Sequence, residues 1–137
     1  VNHLWNNLFD FVRREYAMQR WPMNFLEISA DDARARGIES GDLLSIESDD
    51  VIDQLGERGS GGFTAVAYVS DTVPAGVTWT YFLYPGSQAN SVTAADTSLQ
   101  PVNLRYPFKL GKGRVTKIGT TELAEVMPFA PRNLVPA

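Results

Sequence analysis

Residues Ala33–Ser48 read ARARGIESGDLLSIES: a short polar run, a Gly-Ile pair, a Ser-Gly-Asp turn, then aliphatic residues at every second place. The Ala/Arg run suits a short helix. Just upstream, Ser29 is followed three positions later by Asp32, the side-chain pattern that satisfies the first free N–H groups of a helix. Gly37 stands where a left-handed residue ends a helix without a Cβ penalty. Beyond it Glu39, Ser40, Gly41 and Asp42 form a turn. Leu44 and Ile46 then alternate with Ser45 and Glu47, as in a strand with one buried face.

Working outward, Met23–Ile28 (MNFLEI) is an apolar run of strand length. From Asn6 to Arg20, Leu8, Phe9, Val12 and Tyr16 recur at helical spacing, Asp10 precedes Arg14 by four, and Pro22 ends the pattern. Downstream, Phe63, Ala65, Ala67 and Val69 predict a second period-two face. The acidic, then glycine-rich DDVIDQLGERGSGG (Asp49–Gly62) between these strands is expected to be an exposed hairpin connection, long enough to be an insertion. Val73-Pro74-Ala75-Gly76 fits a type I turn or, one register on, a type II turn. Thr78–Tyr84 (TWTYFLY) is dense in β-branched and aromatic residues and predicts a strand. Pro85–Pro101 reads as a polar loop, Arg114–Ile118 as a last strand, and the proline-containing tail from Met127 as an extended arm. Short strands joined by polar turns, with one or two helices, predict a mainly β barrel or sandwich.

The chain has 137 residues, 44% of them hydrophobic, which suits one domain with a sizeable core. Twelve basic against sixteen acidic residues give a net charge of −4, and no basic run appears, so electrostatic binding of nucleic acid has little support. The absence of cysteine removes disulfides, thiolate catalysis, zinc fingers and cysteine-ligated clusters. No apolar run reaches the roughly 18 residues of a membrane span, and no signal peptide pattern opens the chain. A start at Val1 inside patterned sequence leads us to expect an excised domain or mature fragment.

No complete catalytic constellation is visible. His3 is the only histidine, and a lone histidine more often packs or sits at a surface than binds a ligand. Asp31, Asp32, Asp49, Asp50 and Asp53 lack the glycine and terminal glutamate of a calcium loop, so helix capping and a solvated loop explain them better. GERGSGG lacks the Lys-Ser/Thr ending of a phosphate loop. Ser29, Ser40 and Ser87 have no histidine nearby in sequence and no elbow motif. Trp5, Trp21, Trp79, Tyr81 and Phe82 read mostly as core. In the loop GSQANSVT, Gln88, Asn90, Ser91 and Thr93 offer amides and hydroxyls that can read the edges of an uncharged ligand; plain loop solvation is the competing explanation.

The order of features is more specific than any one of them. NHLWNN (residues 2–7), MNFLEIS, ADDARARGIESGDLLSIES, PAGVTWTYF, QANSVT and YPFK, in that sequence, resemble the C-terminal pterin-binding domain of the dimethyl sulfoxide reductase family of molybdenum enzymes. The phrase D-A-x-x-x-G-I-x-x-G-D is its most specific local marker, and the resemblance runs from Val1 to about Gly119. Within that family the nearest likeness is to arsenite oxidase large subunits, with iodate reductases sharing the general pattern.

The resemblance implies a six-stranded double-psi β-barrel with short helices and an extended C-terminal tail. It divides the one domain into an opening segment and helix (1–22), the pterin-binding barrel (23–119) and the tail (120–137). It implies binding of molybdenum bis(molybdopterin guanine dinucleotide), with the parent enzyme's iron–sulfur cluster in another domain. Asn2, His3, Trp5 and Asn6 match the segment that approaches a pterin, and Gln88 and Asn90 the loop that hydrogen-bonds a pterin or guanine edge. Lys109 matches a lysine near the cofactor's anionic portion, while Gly37, Gly41 and Asp42 are expected only to shape turns. No catalytic residue or metal ligand is expected in this chain, and no nucleic acid or membrane span. The implied partners are the remaining domains of a periplasmic catalytic subunit and a Rieske-type small subunit. Two rivals are a free-standing double-psi barrel acting as a protein or peptide adaptor, like the N-terminal domains of some ATPases, and a small decarboxylase of related fold. The second lacks its self-cleaving Gly-Ser context.

Overall fold

The computed structural model describes residues 22–52, 57–81, 84, 86–93 and 111–121. In chain order they form β1 (Phe25–Ser29), α1 (Ala30–Arg36), β2 (Asp42–Ile52), β3 (Arg58–Ser70), β4 (Thr78–Thr80), a 3-10 turn at Ala89–Val92 and β5 (Arg114–Thr120). The strands make one sheet in the order β4-β1-β3-β2-β5. β1 runs parallel to β3, in register from Phe25↔Val66 to Ser29↔Ser70, and the other three pairings are antiparallel. A parallel pair cannot be joined by a tight hairpin, so the chain passes through α1 and β2 before β3 returns beside β1.

Local chemistry explains α1. The Ser29 hydroxyl accepts a hydrogen bond from the Asp32 N–H (3.2 Å) and donates to the Asp32 carboxylate (2.9 Å), closing the N-terminus. Gly37 ends the helix at φ 62°, and the Ile38 N–H returns to the Ala33 carbonyl at 2.9 Å. Asp32 also accepts from the Gly76 N–H at 2.6 Å and pairs with Arg36 at 2.8 Å. One carboxylate thus holds the helix start, the helix end and the turn before β4. That turn takes the second register: the Val77 N–H bonds the Pro74 carbonyl (3.1 Å), with Gly76 left-handed at the third position.

The turn after α1 is built by the marker residues. Gly41 adopts φ 99° and donates its N–H to the Ala67 carbonyl at 3.0 Å. The buried Asp42 carboxylate accepts from the Glu39 N–H and from Lys117 of β5, each at 2.7 Å. β5 is therefore tied to the turn as well as to the β2 ladder.

The main core lies on one face of the sheet: Leu26, Ile28, Leu44, Ile46, Phe63, Ala65 and Ala67, closed over by Ala33, Ile38, Ala89 and Val92. The expected alternation of β2 and β3 holds, yet Val66, on the opposite face, is as buried as its neighbours. A second cluster covers it there: Phe25 with Met23, Tyr68 and Tyr81, the ring of Phe25 meeting that of Tyr81 edge-on at 5.4 Å. β3 at Ala65–Ala67 and β1 at Phe25–Leu26 are buried on both faces.

Several expectations are corrected. Asp49–Gly62 is mostly ladder: β2 continues to Ile52 and β3 begins at Arg58, paired as Val51↔Gly59 and Ile52↔Arg58 beyond a register shift. The glycines there serve close approach. A Cβ on Gly62 would stand 2.9 Å from the Ile46 carbonyl oxygen, and one on Gly61 would collide with the Ser91 carbonyl. Among the described residues, the strand expected over Thr78–Tyr84 covers Thr78–Thr80, paired there with Leu26, Glu27 and Ile28 of β1. The polar loop contains an ordered 3-10 turn. The fold is mainly β, as expected, and the described residues form a five-stranded sheet that is not closed among them. Its two edges, β4 and β5, each have one strand partner among the described residues. The helix expected over Asn6–Arg20 and the arm from Met127 lie outside the described residues.

Two outcomes follow. Leu26→Ala, which empties a site 1% exposed, is expected to cost about 2–5 kcal/mol in urea unfolding. The Asp32 carboxyl is held below the ordinary carboxylate range, first by the Gly76 N–H and then by Arg36 and Ser29. Its folded-state pKa is depressed, so the stability it confers is present above the unfolded carboxylate pKa and is lost as pH falls through the folded value. Asp32→Asn should therefore lower stability at neutral pH and flatten its decline in acid, read from melting temperatures across the acidic range.

Candidate functional site: a latched amide-bearing turn

The segment from Tyr84 to Thr93 carries no charged side chain. Its two ends are fixed differently. At the start, Ser87 is buried; its N–H bonds the Tyr84 carbonyl at 3.0 Å and its hydroxyl donates to the Thr64 carbonyl of β3. Asn24, fully buried just before β1, donates its carboxamide N–H groups to the carbonyls of Tyr81 (3.0 Å) and Ser87 (3.1 Å). At the far end, Thr93 forms an isolated bridge to Gly111, where a Cβ would lie 2.6 Å from the Val92 carbonyl oxygen.

Between these ends the 3-10 turn superimposes residues three apart, so Ala89 and Val92 both enter the core. The turn closes with Ser91 N–H to the Gln88 carbonyl (3.0 Å), and the Asn90 carbonyl accepts from both the N–H (3.3 Å) and hydroxyl (3.0 Å) of Thr93. Gln88 and Asn90 remain exposed, and their side-chain amides have no hydrogen-bond partner among the described residues. Each offers a donor pair and an acceptor side by side, the inventory that matches the edge of a nitrogen heterocycle.

Burial shifts the titratable groups near this segment. The Tyr84 phenol is pushed up to about 12 by burial. On the opposite sheet face, burial raises Tyr81, with the Glu27 charge adding to it, and burial raises Glu27 against a hydrogen bond from Thr72.

The remaining sequence candidates resolve into structure. Ser29 caps α1, and Ser40 accepts from the Val69 N–H at 2.9 Å. Asp31 pairs with Arg34 (2.9 Å) and Asp50 with Arg58 (3.0 Å). Among the described residues no three His, Cys, Asp or Glu side chains gather to hold a metal, and no helix is long and apolar enough to cross a membrane. Of the expected cofactor contacts, Gln88 and Asn90 are brought onto one turn, while Asn2, His3, Trp5, Asn6 and Lys109 lie outside the described residues. Sequence reasoning missed Asn24 and considered Ser87 only as a nucleophile. The available signal was an amide inside the apolar run MNFLEI, because a buried polar group must find partners.

The model of the family described as Molydopterin dinucleotide binding domain matches residues 1–109. The chain belongs to that family. It is 35% identical, over 98% of its length, to the iodate reductase subunit IdrA of Denitromonas iodatirespirans, and equally so to that of Pseudomonas sp. (strain SCT). It spans 17% and 18% of those proteins' lengths. Paired neutral amides on an exposed, anchored turn fit the heterocyclic edges of a pterin or guanine.

The close approach at Gly61 yields a direct check. Gly61→Ala must displace the Ser91 carbonyl or bend β3, and is expected to cost about 1–3 kcal/mol and to shift the amide resonances of 88–93 more than those of α1. Gly59→Ala, with open space at the same edge, should leave them in place.

Proposed function

We propose that this chain is the cofactor-binding domain of a longer molybdenum oxidoreductase of the iodate-reductase-like kind, and that Gln88 and Asn90 hydrogen-bond a pterin or guanine edge of its dinucleotide. The observation that carries the reading is the pair of unpartnered amides on the turn anchored by Ala89 and Val92, in a chain belonging to a dinucleotide-binding family. Two relatives that are iodate reductase subunits favour that substrate class over arsenite, and family membership favours cofactor binding over the adaptor reading.

When bound, the molybdenum cofactor supplies two-electron oxygen-atom transfer. This chain's residues bind and orient. The amides of Gln88 and Asn90 select a heterocyclic edge, and the absence of charged side chains from Tyr84 to Thr93 lets that selection rest on hydrogen bonds. Asn2, His3, Trp5 and Asn6 complete the pterin side in this reading, with Lys109 facing the anionic portion. Closure of the sheet into a six-stranded double-psi barrel would give these segments a common rim. The catalytic centre and the iron–sulfur cluster then belong to the rest of a catalytic subunit, which would act in the periplasm with a Rieske-type small subunit.

The test uses the full-length protein containing this domain. Gln88→Ala and Asn90→Ala should each lower retained dinucleotide about three- to tenfold, as loss of one net hydrogen bond dictates, measured by pterin fluorescence after oxidative release. Wild-type retention in both variants and in the double variant would remove the turn from the binding site.

A further inference from the structure

Asn24 is wholly buried, and every hydrogen-bonding atom of its side chain is used. Its oxygen accepts from the Phe25 N–H at 2.9 Å, fixing the carboxamide plane against the start of β1. Its nitrogen then spends both protons on the incoming segment, one on the Tyr81 carbonyl and one on the Ser87 carbonyl. Those acceptors are 57 and 63 residues away in the chain, while the backbone carbonyl of Asn24 accepts from the Val66 N–H at 2.9 Å. One donor holds the residue that follows β4, and the other holds the residue before Gln88.

Few side chains could do this. An ionised Asp has no donor, Ser has a single proton, and Gln places its amide one methylene further out. The hydroxyl of Ser87, bonded to the Thr64 carbonyl, ties the same point to β3. The residue before Gln88 is therefore held to β1 by one side chain and to β3 by another.

We propose that Asn24 is a positioning residue for dinucleotide binding: its carboxamide latches the backbone carbonyls of Tyr81 and Ser87 so that the amides of Gln88 and Asn90 are presented from a fixed point. This rests on the reading that the turn contacts the dinucleotide. It assigns a binding role to a residue that touches no ligand.

The test compares full-length wild type, Asn24→Asp, Gln88→Ala and Asn90→Ala, by amide hydrogen exchange and by bound dinucleotide per protein at about pH 8 and about pH 5. Asn24→Asp keeps the acceptor for the Phe25 N–H but loses both donors when ionised, and regains one when protonated. At the higher pH, exchange at Ser87, Ser91 and Thr93 should accelerate about tenfold or more, with Leu44 and Ile46 unchanged, and retained dinucleotide should fall by a similar factor. Both should partly recover at the lower pH in Asn24→Asp alone. Unchanged exchange in the turn, a loosened turn with wild-type retention, or equal acceleration throughout β2 would each overturn the proposal. If Asn24→Asp does not fold, Asn24→Ser, which keeps one donor and does not titrate, is judged by exchange in the turn and by retained dinucleotide, without the recovery at lower pH. Loss of dinucleotide in Asn24→Asp with full retention in Gln88→Ala and Asn90→Ala would defeat the side-chain contacts but leave the latch acting through the turn's backbone. The reverse pattern would defeat the latch alone.

Discussion

The parallel pairing of β1 with β3 is the constraint on which the described structure depends. Because parallel neighbours need a crossover, everything between them must fit a fixed gap: a capped seven-residue helix, a tight turn and the outgoing β2. β3 then lies between β1 and β2 with Ala65, Val66 and Ala67 fully buried, so both faces of the sheet need cover. One face receives α1 and the 3-10 turn, the other an aromatic cluster around Phe25. The turn that carries the candidate ligand contacts is thus a piece of the core closure, with Ala89 and Val92 buried beneath its exposed amides.

Much of this was legible in residue order. Helix, stop, turn and strand in Ala33–Ser48 could be assigned because each step rests on local chemistry: a Ser-Asp cap, a left-handed glycine, an Asp that closes its own turn, alternating aliphatics. Where the reading failed, the determining contact was distant in sequence. GERGSGG looked like linker because glycine permits flexibility, but here Gly61 and Gly62 admit a crossing backbone and a neighbouring carbonyl. TWTYFLY looked like a long strand by propensity, yet a strand extends only as far as it has a partner, and β1 offers β4 three residues.

The site divides in the same way. Gln88 and Asn90 could be singled out from their chemistry and from the resemblance, since they sit exposed on a polar loop. Asn24 could not, because its role is defined by two carbonyls far along the chain and by complete burial. Ser87 was rightly set aside as a nucleophile, but its tether to the Thr64 carbonyl, 23 residues away, could not be read from the sequence. Membership in a dinucleotide-binding family supports the ligand class proposed for the exposed amides, while the buried amide of Asn24 explains how a loop without charge can hold its shape.

The central claim is that the segment from Gly86 to Thr93 faces the dinucleotide. The most direct measurement is a hydrogen-exchange footprint of the full-length protein with and without bound molybdopterin dinucleotide. Slowed exchange on loading, concentrated at the amides of 86–93 and weak across α1 and β5, is the predicted result. Protection confined to other parts of the chain, with 86–93 exchanging equally in both states, would contradict the account.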